Sequence, residues 1–325
     1  TNRNIPYLTT STIQLAKRYN LTEELFLAKI ESLRQKLFEV REQRIHPLKD
    51  DKILTDWNGL MITAFAKGAQ VLGDEHYAEA AKNAADFVLS TLRQPDGQLL
   101  KRYREGVAAL PAHLEDYAFM IWGLLELYQT TFEIDYLQYA IDLNQTMLDF
   151  FWDENSGGFF FTADDGEKLI VRTKEIFDGA IPSGNSVAAL DLLLIGRITG
   201  NAELEKKAAT VGKVFSAQVN RSPMGYTQLL LATEFAMGPA YEIVIVGDPG
   251  STDTQVMTQL VQRQYVPNRV LLLKSAGADG EKLAKLAPFT ETQYAIDGKA
   301  TAFVCQNYAC KAPTTELEAV EKALK

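Results

Sequence analysis

Two kinds of helix alternate along this chain, and that alternation constrains its fold more than any other feature. Residues 118–125 and 187–195 are apolar nearly all round, as a helix enclosed by others must be. The segments that follow them, like those at 78–92 and 202–219, carry Lys and Glu on one face and small apolar residues on the other. The first kind belongs inside and the second outside. Periodicity predicts helices at 12–19, 21–44, 58–71, 75–92, 114–130, 134–151, 186–199, 202–219 and 226–235, with Thr22 as an N-cap. From residue 58 onward they form inner–outer pairs.

The connectors repeat as well. Gln94-Pro95-Asp96-Gly97 and Glu154-Asn155-Ser156-Gly157-Gly158 each follow an outer helix and lead into an alternating run, which reads as a tight turn and a short strand. Inner helix, outer helix and hairpin make a degenerate repeat, with inner members beginning near residues 58, 114, 184 and 226. Such units bury their faces only by stacking on neighbours. Beyond residue 240 the pattern changes to short apolar β runs at 241–246, 269–273 and 300–305, with helices at 251–264 and 316–325. The expected fold is therefore mainly α: an incomplete (α/α) toroid of helical hairpins over residues 1–239, then a small α/β subdomain over 240–325.

Charge and composition exclude several functions. Acidic residues number 42 against 33 basic, a net charge of −9, which is the wrong sign for neutralising nucleic-acid phosphates. The eight-residue apolar run at 118–125 falls far short of the roughly 20 residues needed to span a bilayer, and the opening residues show no signal-peptide pattern. The two cysteines, Cys305 and Cys310, are too few for a disulfide framework and lack the C-x-x-C spacing, so a reducing, cytoplasmic setting is expected. His46, His76 and His113 are dispersed, and neither a metal site nor a cofactor is predicted. Gly247-Asp248-Pro249-Gly250 follows a β run, yet matches neither dinucleotide-binding nor P-loop patterns.

Each inner helix is preceded by a polar cluster: Asp56-Trp57-Asn58, His113-Leu114-Glu115-Asp116-Tyr117, Ser183-Gly184-Asn185-Ser186 and Gly225-Tyr226-Thr227. Parallel inner helices would place all four on one rim, where helix N-termini favour hydroxyl-rich or anionic ligands. Trp and Tyr beside carboxylates, Asn and Ser suit a sugar. The catalytic candidates are Glu115, His113 and Asp116. The ligand-binding candidates are Asp56, Trp57, Asn58, Tyr117, Asp178, Ser183, Asn185 and Tyr226. Asp, Asn and Ser are also preferred N-caps, so a capping role for Asp56, Ser183 and Asn185 stands beside the functional one. A carboxyl at a helix N-terminus tends to stay ionised, which favours a base over an acid and argues against hydrolysis.

The stretches 50–62, 114–118, 178–186 and Cys305-Gln306 up to Cys310 resemble signature segments of the YyaL-like, spermatogenesis-associated thioredoxin-domain proteins, in order and over nearly the whole chain. The resemblance implies an (α/α)6 toroid of the six-hairpin glycosidase and N-acylglucosamine 2-epimerase type, preceded in the family by a thioredoxin-like domain that this chain lacks. It also implies carbohydrate-directed chemistry, epimerase- or isomerase-like or glycosidase-like. The alternative is a non-catalytic binding or scaffold module serving the thioredoxin-like domain. A small sugar-like ligand, that domain and a second copy of the chain are the expected partners.

Overall fold

The computed structural model describes Tyr7 and residues 9–306 and 308–325. They fall into two compact units, residues 1–51 and 52–325. In the first, α1 (Thr12–Arg18) and α2 (Glu23–Glu42) begin at Ser11 and Thr22, whose side-chain oxygens accept from Gln14 N and Leu25 N as N-caps do. Tyr19 stacks on Phe26, with ring centroids 6.3 Å apart.

The second unit holds the paired helices: α3 (Thr55–Leu72) with α4 (Glu75–Thr91), α5 (Leu114–Thr131) with α6 (Ile134–Phe151), α7 (Gly184–Thr199) with α8 (Ala202–Arg221), and then α9 (Thr227–Met237). The inner helices α3, α5, α7 and α9 pack on one another in that order, and each outer helix packs on its own partner. This is the arrangement of an (α/α) toroid. As their composition requires, α5 and α7 are buried on nearly every side, including Phe119, Leu124, Leu192 and Ile198 at 0% exposure. Two glycines bring α3 and α5 into backbone contact. A Cβ on Gly59 would lie 2.5 Å from the carbonyl carbon of Phe119, and one on Gly123 would lie 2.8 Å from the oxygen of Gly59.

The connectors differ in how far they become sheet. After α4, Arg93 bridges Leu99, and the chain continues into β2 (Leu100–Arg104) and β3 (Val107–Pro111), with β1 (Ile53–Leu54) completing an antiparallel sheet in the order β1-β2-β3. After α6, the matching stretch makes one bridge, Trp152 to Phe159, and no strand. The Asn185 side chain holds the bridge residue. Its amide accepts from Phe159 N and donates to Phe159 O, both at 2.8 Å.

The C-terminal part contains β4 (Tyr241–Val246), α10 (Thr252–Arg263), β5 (Arg269–Lys274), α11 (Ala278–Leu286), β6 (Thr301–Gln306), β7 (Ala309–Cys310) and α12 (Leu317–Ala323). The sheet order is β5-β4-β6-β7, with β4 and β5 parallel and the other pairs antiparallel. One face, with Val244, Val246, Val270 and Leu272, shares the core of the helical array and of Leu283 on α11. The other, with Ile243, Ile245 and Leu271, packs on Met257 and Val261 of α10 and Val320 of α12. Against the expectation from their number and spacing, Cys305 and Cys310 are disulfide-bonded, because β6 and β7 pair them directly across a hairpin. Among the described residues, no helix is long and apolar enough to cross a membrane.

Candidate functional site

The N-termini of the inner helices share one end of the array, held there by hydrogen bonds between the polar clusters. Asp56 N donates to Asp116 Oδ1 at 3.1 Å, joining α3 to α5. Asp178, in the segment before α7, accepts from Ser183 N at 2.9 Å and, through its other oxygen, from Gln228 N at 2.8 Å, joining the starts of α7 and α9. Gly184 seats α7 on α5, since a Cβ there would lie 2.8 Å from Leu114 Cγ and 3.2 Å from Glu115 Cγ.

At the centre of the rim lies an ion cluster. The Lys101 ammonium reaches Asp56 Oδ2 and Asp116 Oδ2, each at 3.3 Å, and Asp116 Oδ2 also accepts from His113 N at 2.7 Å. Asp116 is fully buried and Asp56 is 5% exposed. Burial, with the Asp56 carboxylate beside it, pushes Asp116 up to about 6, while Lys101 and the His113 amide pull the other way. Burial works against the charge on Lys101, but the Asp116 and Asp56 carboxylates outweigh it and hold the ammonium above its ordinary range.

Glu115 and His113 flank this cluster, and both are half-buried. Burial beneath α7, followed by the nearby carboxylates of Glu175 and Asp56, raises Glu115 to about 7. This reverses the expectation that its place at a helix N-terminus keeps it ionised, because desolvation outweighs the helix dipole here. His113 is depressed by burial and by Lys101, which favours its neutral imidazole. Its ring stacks on Phe161 with centroids 4.6 Å apart. Trp57 presents its indole to solvent, 59% exposed.

The other candidates are engaged with groups of the fold itself. Asn58 Nδ2 donates to Leu54 O at 2.7 Å, and the Tyr117 hydroxyl accepts from Leu99 N at 2.9 Å in the core. Ser183 caps α7, accepting from Ser186 N. Asn185 staples Phe159 and donates to Glu175 O, and the Tyr226 ring meets Phe177 edge-on. Capping thus describes Ser183 but neither Asp56, which sits inside the first turn of α3, nor Asn185. Sequence reasoning missed Lys101, Glu175 and Phe161. Two buried carboxylates imply a cation, but only the return of β2 past α3 identifies it as Lys101.

No family model matches the chain. It is 35% identical to spermatogenesis-associated protein 20 of Homo sapiens over 314 residues, 93% of this chain and 39% of that protein. It is 27% identical to an uncharacterized protein of Caenorhabditis elegans over 302 residues, 90% of this chain and 40% of that protein. The chain therefore spans about two fifths of the length of the curated relatives it matches. Solved structures similar to it include a cellobiose 2-epimerase from Bacillus thermoamylovorans (TM-score 0.45, 18% identity, 52% of this chain and 46% of that one). They also include a family 76 α-mannanase from Bacteroides thetaiotaomicron (TM-score 0.48, 16% identity, 67% of this chain and 59% of that one). Over nearly all of its own length the chain is homologous to a part of the longer spermatogenesis-associated protein 20 relatives.

Proposed function

We propose that the rim binds a sugar or sugar-like metabolite and that Glu115 transfers a proton to or from it. The observation that carries this reading is a half-buried carboxyl raised to about 7 on a rim with an exposed Trp57. Such a group gives and takes a proton with little penalty at neutral pH, as general acid–base chemistry requires. Neutral His113 is the complementary acceptor, which suits an epimerase- or isomerase-like step at a carbon acid. A glycosidase-like step would use Glu115 as the acid, with Glu175 as the second carboxyl. Asp56, Asp116 and Lys101 position Glu115 and His113. Asn58, Tyr117, Asp178, Ser183, Asn185 and Tyr226 support the ends of the inner helices, and the Trp57 face stacks on the ligand.

The test is a thermal-shift screen of the chain against mono- and disaccharides, amino sugars and uronic acids, since a ligand that binds only the folded state raises its stability. A sugar-dependent shift lost in Trp57→Ala, with turnover lost but binding kept in Glu115→Gln, supports the reading. Failure of every sugar to shift the protein at millimolar concentration, repeated on the full-length protein, overturns it.

A second reading rests on length. Because the relatives are more than twice as long as the region matched, the array can instead present a ligand or client to an attached thioredoxin-like domain without chemistry of its own. Unchanged behaviour of Glu115→Gln in every assay favours this module. A homodimer through the inner-helix flanks is compatible with either reading.

A further inference from the structure

The inner helices border a second crevice, towards the ends opposite the rim. Lys67 on α3 and Glu126 on α5 stand at the same height in their helices, about 18 Å from the first turns at the α-helical rise. Trp122 of α5, Leu190 and Leu194 of α7 and Leu231 of α9 line the same space, together with the segment 264–269 that leads from α10 into β5. All of these belong to the second unit. The crevice has a volume of about 560 Å³, which suits a small molecule.

Its lining indicates the ligand. Several polar side chains there are already engaged within the fold. Gln70 accepts from Arg269 Nη2 at 3.2 Å and donates to Thr130 Oγ1 at 2.9 Å, Gln129 Oε1 accepts from Leu271 N at 2.9 Å, and Glu234 accepts from Asn268 Nδ2 at 2.7 Å. Lys67 and Glu126 are different. Lys67 Nζ donates to Glu126 Oε1 at 2.6 Å, which among the described residues leaves the other ammonium protons and Glu126 Oε2 unused. Both side chains can be reached, being 51% and 9% exposed, and Oε2 is not sealed from solvent as the oxygens of Asp191 on α7 are. A ligand bearing only a cation would be repelled by Lys67, and one bearing only an anion by Glu126. A ligand that answers both must carry opposite charges on neighbouring atoms. The rest of it must be apolar, to cover Trp122, Leu190 and the 57%-exposed Leu231.

We propose that this crevice binds a free α-amino acid with a large apolar side chain, whose carboxylate accepts from Lys67 while its ammonium donates to Glu126 Oε2.

Phenylalanine, phenethylamine (which lacks the carboxylate) and 3-phenylpropionate (which lacks the amine) would be titrated into the full chain at pH 7, with binding followed calorimetrically. Phenylalanine is expected to bind saturably, and the other two at least about tenfold more weakly, because each leaves one charge of the pair unanswered. Glu126→Gln keeps the shape of the side chain and an acceptor for Lys67, so it should fold while losing phenylalanine binding by a similar factor. Leu231→Ser, at an exposed position, should fold normally and bind more weakly. Glu115→Gln should bind phenylalanine as the parent does, which separates this site from the rim. Absence of saturable binding of phenylalanine, leucine and tryptophan up to about 5 mM would overturn the proposal. So would phenethylamine or 3-phenylpropionate binding as tightly as phenylalanine, or phenylalanine binding retained in Glu126→Gln.

Discussion

The backbone amide of Asp56 donates to the carboxylate of Asp116 across 3.1 Å and 60 residues of chain, tying together the first turns of two inner helices. Each of these carboxylates is also held by Lys101. The rim is thus organised around one cation and two buried anions, and its stability depends on all three being present.

Lys101→Met should be more damaging than the exposure of a lysine suggests. The side chain is 23% exposed, but its loss leaves Asp56 and Asp116 buried without a counterion. Breaking such a cluster costs about 3 kcal/mol. Urea unfolding at pH 7 would measure it, and part of the loss should return at pH 5, where the group raised to about 6 takes up a proton.

Glu115 should make the folded state less stable as pH rises. Its carboxyl titrates at about 7 in the fold against an ordinary value of 4.5, so below 4.5 both states are protonated and no penalty exists. Between 4.5 and 7 the unfolded chain ionises first, and above 7 the penalty is complete. After allowance for solvent screening it amounts to about 1–2 kcal/mol. Stability curves at pH 4.5 and 8 for the parent and Glu115→Gln should diverge in this sense, with the variant relatively more stable at pH 8. Parallel curves would show that burial does not hold the proton.

Close helix packing gives a paired prediction. Gly59→Ala should destabilise by about 3 kcal/mol or more, because the new methyl would meet the backbone of Phe119 at 2.5 Å, and backbone cannot rotate away. Gly68→Ala, on the same helix, would meet only the Tyr77 ring at 3.7 Å and should be neutral or stabilise by up to about 1 kcal/mol. Thermal melts of the two variants distinguish them directly.

The Cys305–Cys310 bond closes a short loop, so its removal should cost about 2 kcal/mol on the chain-entropy account. Tyr308, inside that loop, donates its amide to the buried Glu242 at 3.2 Å and lies over Arg197, with 4.5 Å from guanidinium carbon to ring centroid. Loss of the bond should therefore also loosen the Arg197–Glu242 pair. Dithiothreitol should lower the melting temperature of the parent and leave the Cys305→Ser/Cys310→Ser variant unmoved; equal responses would show the bond to be irrelevant to stability.

The helices were legible because each reports its surroundings locally. An all-apolar 187–195 must be enclosed and a Lys/Glu-faced 202–219 must not, and α7 and α8 occupy those positions. The C-terminal strands were legible for the same reason. The α11 helix escaped notice because glycines stand at its N-cap and in its first turn, Gly277 and Gly280, where they read as loop. The second connector makes a bridge and no strand, and at that bridge Phe159 is held by an asparagine 26 residues ahead, a partner that no local pattern announces.

For the site, the sequence by itself determined that polar clusters would precede inner helices and that parallel inner helices would bring them to one rim, since this follows from local pattern and chain alternation. Only the tertiary structure decided which of those residues face one another. Lys101 arrives from a strand and enters between Asp56 and Asp116, Tyr117 and Asn185 turn inward to serve backbone groups, and Glu115 is covered by α7 and so raised to about 7. The physical reason is that charge, burial and hydrogen-bond partnership are properties of the space around a side chain, and that space is assembled from segments far apart in the chain.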